Sequence, residues 1–256
     1  MSDRLIVIDG DNNLYRAFHA PSDRPPAERF GFWLGRWRKT FNPTHMVVVF
    51  DALDGYSWRR ELYPAYKSKR PPKPPQLLRA LVDARAECRA ANIAIAIDDG
   101  NEADDLIAAY VEAGVREGMA ATIVSSDKDV TQLVRDEPVQ VRMHDEVRRM
   151  VWGPVEVFNK FGVAPAQLPD LLALIGDSGD GFLGVPGIGP KTAAPLLVEH
   201  GDLETLLANK NLVQSSKVMK LLRKHEETAK TAYRLAKLRA DIPLPVPLDG
   251  CTWGRS

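Results

Sequence analysis

Residues 4–9 read RLIVID, an apolar run that ends on an aspartate and is followed directly by the polar residues GDNN. Three later runs have the same form: HMVVVFD at 45–51, IAIAID at 93–98 and ATIVSSD at 121–127. All four are rich in Val and Ile and lack the polar alternation of a strand with one face in water. Strands of this composition are typical of a parallel sheet that is covered on both faces. The four runs therefore predict the core of an α/β fold.

The segments between these runs have the spacing of helices, around residues 26–41, 75–92 and 103–118. Alternating strands and helices predict a mostly parallel central sheet flanked by helices. Two later runs, PVQVRM and VRRMVW, indicate an edge hairpin that turns at the intervening HDE. Beyond Gly153 the pattern changes to short helices and Gly/Pro loops without a convincing strand. We therefore predict three regions: a core domain at 1–153, a helical module at 154–238 and an extended Pro-rich tail at 239–256.

The overall composition excludes several classes of protein. The chain carries 34 basic and 34 acidic side chains, so its formal net charge is zero and evidence for a nucleic-acid partner must be local. Two cysteines argue against a disulfide framework or a cysteine metal site. The sequence contains neither a signal peptide nor an apolar run long enough to span a membrane. We expect a cytoplasmic protein with no membrane partner.

Acidic residues stand where the predicted strands end. All four runs finish on an aspartate, and ATIVSSD is followed by KD, which adds a second acid. Because ligand sites in open parallel sheets lie at the carboxyl ends of the strands, these acids should share one edge. The turn after IAIAIDDG should reach the same edge, and LIGDSGDG adds two acids spaced as on one face of a helical turn. The predicted set is Asp9, Asp51, Glu102, Asp104, Asp105, Asp127, Asp129, Asp177 and Asp180.

The stretch NEADD at 101–105 brings three carboxylates into the first turn of a predicted helix. Acidic side chains suit that position, and each stabilises the helix by roughly 0.3–1 kcal/mol. Two like charges about 4 Å apart, however, repel by roughly 4 kcal/mol at an effective dielectric constant near 20. If further carboxylates converge there, helix capping does not offset the repulsion, whereas a cation does. Oxygen ligands without Cys or His favour Mg²⁺ or Mn²⁺, and the number of acids indicates at least two ions.

The stretch SWRRELYPAYKSKRPPKPP at 57–75 is strongly basic. It contains six basic residues and one acidic residue, and one Trp and two Tyr are interspersed among them. This mixture suits nucleic acid, because cations bind phosphates and aromatic rings stack on bases. The alternative is a solvated loop stiffened by proline. If the stretch binds DNA, Arg59 and Lys69 are candidate contacts.

The stretch GVPGIGPKTAAPLL at 184–197 fits a helix–hairpin–helix pattern. Its glycines allow close approach of the backbone to a phosphate, and the helix that follows offers its amino-terminal amides. Pro190 suits the first helical position, whereas Pro195 inside the helix predicts a kink. Such hairpins bind a nucleic-acid backbone without reading bases. The alternative is an ordinary turn between two helices. The candidate contacts are Gly187, Gly189, Lys191 and Thr192.

Taken in order, these motifs resemble the structure-specific 5′ nucleases, which include flap endonucleases, phage 5′-exonucleases and the N-terminal domain of bacterial DNA polymerase I. The resemblance covers nearly the whole chain and rests on IDGDNNLYRAFHA, VVVFD, SWRRELYPAYKSKR, NEADDLIA, SSDKDVTQL, LIGDSGDG and GVPGIGPKTA. It implies a PIN-like α/β core with an arch region at 67–92, and a helix–three-turn–helix module.

The resemblance also implies an activity and a setting. A monomer would cut DNA at 5′ flaps, 5′ overhangs and nick or gap junctions, using two or three divalent ions. The products would carry a 5′-phosphate and a 3′-hydroxyl. This nuclease activity would serve DNA replication and repair in the cytoplasm of a bacterial cell or a phage-infected host.

Individual roles follow from the same resemblance. The first metal group corresponds to Asp9, Asp51, Glu102, Asp104 and Asp105, and the second to Asp127, Asp129, Asp177 and Asp180. Tyr66 corresponds to a base-stacking residue, Lys67 to the active-site lysine and Arg70 to an arginine that contacts phosphate. Backbone carbonyls of the hairpin, at Val185 and Ile188, are expected to collect a potassium ion.

Two positions depart from the family, and other functions stay open. Gly181 stands where relatives usually have Asn, and Asp11 stands where a small or polar residue is common. A haloacid-dehalogenase-type phosphatase would use Asp9 as a nucleophile and Asp11 as its acid. A PIN-type ribonuclease would share the core without needing the helical module. A protein of this fold that binds DNA without catalysis is the non-enzymatic alternative.

Overall fold

The computed structural model of the protein describes residues 3–53, 55–209 and 215–253. Its packing divides the chain into two compact units. The sheet unit comprises residues 1–58, 71–153 and 239–256, and the helical unit comprises residues 59–70 and 154–238. The predicted domain boundaries remain a proposal, but the packing places 59–70 with the helical unit and the tail with the sheet unit.

The sheet unit is built on a six-stranded sheet with the order β3-β2-β1-β4-β5-β6. Its strands are β1 Arg4–Asp9, β2 His45–Val49, β3 Ala94–Ala96, β4 Ala120–Val124, β5 Val141–Asp145 and β6 Met150–Trp152. Strands β1 to β5 pair in parallel, and β6 alone pairs antiparallel, with β5. The mostly parallel sheet confirms the predicted α/β class. The edge hairpin is also present, although His144 and Asp145 belong to β5 rather than to the turn.

Helices follow the strands as the sequence pattern predicts. The helices that begin in the sheet unit are α1 Gly10–His19, α2 Pro26–Phe41, α3 Trp58–Leu62, α4 Pro75–Ala90 and α5 Ala103–Arg116. One core cluster joins apolar side chains of β1 and β2 to the buried faces of α1, α2 and α4. Burial on this scale, at roughly 25 cal/mol per Å² of apolar surface, holds the strand ends in register. The carboxyl ends of β3, β2, β1 and β4 therefore lie side by side.

The helical unit contains short helices and one small strand pair. Its helices are α6 Pro154–Phe161, α7 Leu168–Ile175, α8 Pro190–His200, α9 Leu203–Ala208, α10 Ser216–Lys224 and α11 Glu226–Ala236. The expectation of no strand beyond Gly153 was wrong, because β7 Gly176–Asp177 pairs with β8 Phe182–Leu183. A Cβ added at Gly176 would lie 2.5 Å from Gly184 N, so the glycine permits this close pairing. Helix α8 continues through Pro195 to His200.

The tail packs on the sheet unit. Thr252 forms an antiparallel bridge with His45, at the start of β2. The Tyr110 hydroxyl, on α5, donates to Val246 O at 2.7 Å. The tail contains a 3₁₀ turn at Leu248–Cys251. Among the described residues, no helix combines the length and apolar character that crossing a membrane requires.

Candidate active site

Asp9 lies at the end of β1 and forms the N-cap of α1. Its Oδ1 accepts the Asn12 amide at 3.0 Å, and its Oδ2 accepts the Ser125 hydroxyl at 2.7 Å. Burial, helped by the charges of Asp127 and Asp11, raises the pKa of Asp9 to about 7, although the two hydrogen bonds act to lower it. The carboxyl group is therefore held in place among other acids.

Asp51 follows β2 and connects it to α5. Its Oδ1 accepts the amide of Ala103 at 2.8 Å, in the first turn of α5. Its own amide donates to Asp11 Oδ2 at 2.9 Å, and its carbonyl accepts the Arg85 guanidinium at 2.7 Å. The end of β2 is thus tied to α1, α4 and α5 at once.

Asp127 and Asp129 lie in the loop after β4. The amide of Asp127 donates to Ser125 Oγ at 3.0 Å, and the amide of Asp129 donates to Asp127 Oδ1 at 2.9 Å. Lys128 Nζ is 3.1 Å from Asp129 Oδ1. Ser125 therefore bridges Asp9 and Asp127 across neighbouring strands. Ser125 was not among the predicted site residues, and its signal in the sequence was its position directly after the apolar residues of β4.

The three acids at the start of α5 have different surroundings. Glu102 is buried at the N-cap position and accepts a hydrogen bond from the Ser57 hydroxyl. Asp104 is half-buried. Asp105 is 0% exposed, and its two oxygens accept Trp58 Nε1 and the Arg239 amide, each at 2.9 Å. This placement ties Asp105 to distant parts of the chain, so we assign it a packing role beside its predicted metal role.

The acidic edge is defined here as the carboxylates of the sheet unit at these strand and helix ends: Asp9, Asp11, Asp51, Glu102, Asp104, Asp105, Asp127 and Asp129. In the described parts of the chain, no three acidic, His or Cys side chains are arranged to hold an ion as they stand. The carboxylates of the acidic edge instead accept hydrogen bonds from backbone amides, hydroxyls, an indole and lysines. The set nevertheless fits a hard divalent ion, because all of its potential ligand atoms are carboxylate oxygens. The metal role stays a prediction.

The remaining two predicted ligands belong to the helical unit. Asp177 and Asp180 lie on the turn between β7 and β8, not on a helical turn as the sequence predicts. Asp177 Oδ1 accepts the amides of Gly179 and Asp180 at 2.7 and 3.2 Å. Arg70 pairs with Asp180 Oδ1 at 2.6 Å, and the Lys67 amide donates to the Asp180 carbonyl at 2.8 Å. The predicted phosphate-binding residues are thus anchored on this turn.

The turn requires Gly181, one of the two departures from the family pattern. Its φ is 77°, in the left-handed region, where glycine and asparagine are the residues most easily accommodated. A Cβ added there would lie 3.0 Å from the carbonyl of Ala65. Lys67 also has a positive φ, of 51°. The two segments therefore approach closely through unusual backbone conformations.

Two residues of the basic stretch that the sequence predicts to contact DNA are buried in the helical unit. Tyr66 is 2% exposed within the core of the helical unit, so its ring cannot stack on a base in this conformation. Lys67 Nζ lies 4.8 Å from the centroid of that ring. Arg59 is 1% exposed, and its guanidinium donates to the carbonyls of Leu235 and Lys237. We assign Arg59 and Tyr66 packing roles, whereas Lys69 is exposed.

The predicted hairpin connects β8 to α8. Val185 and Ile188 are buried, and the Ile188 amide donates to the Val185 carbonyl at 3.0 Å. Gly187 has a φ of 89°, in the left-handed region that favours glycine. Gly189 is the N-cap, and α8 begins at Pro190 as predicted. The contacts of this hairpin with DNA and with potassium stay predictions.

The exposed side of the hairpin is suited to a partner. Lys191 and Gly187 are exposed and Thr192 is half-buried. The amides of Thr192 and Ala193 both donate to the Gly189 carbonyl at 2.9 Å, which closes the first turn of α8. A phosphate would therefore be met by a helix N-terminus and a lysine charge.

Comparison with known families accounts for the whole described chain. Residues 4–162 match the model of the 5′-3′ exonuclease N-terminal resolvase-like domain, and residues 163–256 match that of the 5′-3′ exonuclease C-terminal SAM fold. The chain is similar to the flap endonuclease Xni of Aeromonas hydrophila, at 42% identity over 94% of this chain and 92% of the relative. It is 38% identical to DNA polymerase I of Rhizobium leguminosarum over 96% of this chain, but spans only 26% of that protein.

A solved structure has the same architecture. The zinc-bound T5 5′-exonuclease superimposes with a TM-score of 0.82 at 25% identity, over 92% of this chain and 90% of that protein. The agreement extends through both units, as the family models do. The chain therefore belongs to the 5′-3′ exonuclease family.

Proposed function

We propose that the chain is a divalent-metal-dependent, structure-specific 5′ nuclease that hydrolyses DNA at 5′ flaps, 5′ overhangs and nick or gap junctions. The observation that carries the proposal is the set of strand-end acids held by hydrogen bonds, in which Ser125 links the Asp9 carboxylate to the Asp127 amide and the Asp51 carboxylate accepts the first amide of α5. Membership of the 5′-3′ exonuclease family and similarity to a flap endonuclease support it.

The acidic edge would hold the divalent ions, with Asp9, Asp51, Glu102 and Asp127 as the principal ligands. Mg²⁺ or Mn²⁺, when bound, supplies an activated water and stabilises charge on the leaving oxygen. The oxygen-only ligand set favours these ions over softer ones. Asp177 and Asp180 of the helical unit are retained as proposed ligands of the second group.

The chain's own cations would position the DNA. Arg70 and Lys67 would bind the phosphate to be cut and offset its charge, and Asp180 holds Arg70 in position. The hairpin that contains Gly187 and Lys191 would bind the backbone of the duplex, with K⁺ on its carbonyls. The proposed products are a 5′-phosphate and a 3′-hydroxyl.

The proposed setting is replication and repair in the bacterial cytoplasm, and the proposed active form is a monomer. A phosphatase using Asp9 and Asp11 is less well supported. Both oxygens of Asp11 are already engaged, one by the Asp51 amide and one by Lys73, so Asp11 is poorly placed as a proton donor. The helical unit also favours a DNA substrate over the PIN-ribonuclease alternative.

A labelled 5′-flap duplex tests the proposal. Cleavage near the junction is expected with Mg²⁺ or Mn²⁺ and none with chelator, and the Asp127→Asn variant should cut at least about 100-fold more slowly while still binding DNA. Asp83→Asn, on the exposed face of α4, is the matched control and should keep full activity. A matched RNA flap and a small phosphate ester test the other two functions. Full activity of Asp127→Asn would contradict the metal role.

A further inference from the structure

Lys73 lies beside the acidic edge. Its Nζ is 2.5 Å from Asp11 Oδ1 and 4.0 Å from Asp51 Oδ2. The other oxygen of Asp11 accepts the Asp51 amide at 2.9 Å, so Asp11 joins the lysine to the backbone of its neighbour. Asp51 Oδ1 is engaged by the Ala103 amide. The ammonium group therefore stands next to the Asp51 oxygen that points away from α5.

The backbone holds Lys73 in this place. It sits in the sequence PPKPP at 71–75, where each proline fixes its own φ and restricts the residue before it. Pro75 is the first residue of α4, and that helix is anchored by the buried residues Leu77 and Leu81. A stiff segment on an anchored helix loses little further conformational entropy when it presents its lysine.

An isolated surface ion pair of this kind contributes little to stability. The Lys73 and Asp51 side chains are 41% and 40% exposed, so stability is not what the contact provides. Its significance lies in the location, because Asp51 is a proposed metal ligand. A divalent ion on that carboxylate would meet a positive charge within a few ångströms.

We propose that Lys73, held by Asp11, is a built-in counter-ion of the acidic edge. It offsets part of the negative charge of Asp11 and Asp51 in the metal-free protein and opposes the binding of a divalent ion at Asp51. The proposal rests on the proposed function in one respect, that Asp51 binds the ion. It also explains why an acid occupies position 11, where the family usually has a small or polar residue: Asp11 is the partner of Lys73 rather than another metal ligand.

Calorimetric titration of Mg²⁺ into the DNA-free protein tests this role without measuring activity. Removing one positive charge 4.0 Å from the Asp51 oxygen that would bind the ion should tighten Mg²⁺ binding about tenfold in Lys73→Met at moderate salt. Lys73→Arg keeps the charge and should stay within about twofold of the wild type. Lys39→Met is the matched control, because Lys39 is an exposed lysine in the last turn of α2 and so lies near the opposite edge of the sheet.

The outcomes separate this inference from the nuclease assignment. Unchanged Mg²⁺ affinity in Lys73→Met, in a protein that cuts 5′ flaps, would overturn the counter-ion role alone. A wild-type protein that binds neither Mg²⁺ nor Mn²⁺ in the same titration would overturn both. If Lys73→Met fails to fold by circular dichroism, Lys73→Gln serves in its place with the same expected tightening. Equal tightening in Lys39→Met would show a general charge effect and would also contradict the proposal.

Discussion

Replacing Arg59 by Met tests whether this buried side chain packs the helical unit rather than contacts DNA. Its guanidinium donates to Leu235 O at 2.8 Å and to Lys237 O at 3.3 Å. A hydrogen bond from a charged group contributes roughly 1.5–3 kcal/mol, and a buried carbonyl left without a donor costs roughly 1–3 kcal/mol. Methionine keeps much of the aliphatic packing. We therefore expect the helical unit to lose about 3–5 kcal/mol of its unfolding free energy.

Urea denaturation followed by far-ultraviolet circular dichroism measures this loss, because the helical unit supplies much of the helical signal. Lys69→Met removes a charge from the same basic stretch at an exposed position, and should change the unfolding free energy by less than about 0.5 kcal/mol. Duplex binding, measured at a temperature where both variants are folded, completes the comparison. If Arg59→Met lost less than about 1 kcal/mol but bound duplex DNA poorly, the packing role would be refuted.

Two further predictions concern the helical unit. Gly181→Val should destabilise it by about 1–3 kcal/mol because of the positive φ and the nearby Ala65 carbonyl, whereas Gly181→Asn should be tolerated better; thermal unfolding of both variants checks this. Burial raises the pKa of Asp170 to about 6, so its contribution to stability is complete below about pH 4 and is lost as the pH rises through 6. Asp170→Asn should lack this loss, so between pH 4 and pH 7.5 its unfolding free energy, measured with urea, should rise by up to about 3 kcal/mol relative to that of the wild type. If the unfolding free energies of the two proteins changed equally with pH, the prediction would be contradicted.

Elements with strong periodicity could be predicted from the sequence. The four apolar runs became β1 to β4, and the helices at 26–41, 75–92 and 103–118 became α2, α4 and α5 with small changes at their ends. The pair β7 and β8 was missed because a two-residue strand has no period to detect. Its existence depends on glycines that allow close pairing, whereas the spacing of Asp177 and Asp180 alone indicated a helical turn.

The roles of single side chains were harder to predict, because they depend on partners far along the chain. Asp104 and Asp105 are adjacent acids in one helical turn. Asp105 is buried and accepts hydrogen bonds from Trp58 and from the Arg239 amide, 134 residues away, whereas Asp104 is half-buried. Arg59 lies in a stretch whose composition suits DNA, and its carbonyl partners are about 176 residues distant. Composition predicts the chemistry of such a stretch, whereas burial decides which members remain available.

The return of residues 239–253 to the sheet unit has a consequence for biosynthesis. When β6 has left the ribosome, every strand of the six-stranded sheet has been made, but Arg239, Val246 and Thr252 have not. These later residues form hydrogen bonds with Asp105 and Tyr110 and a bridge with β2. The nascent polypeptide therefore lacks these contacts until residues 239–252 have left the ribosome. A chain that stops after β6 should consequently leave Asp105, on the acidic edge, without the hydrogen bond from the Arg239 amide.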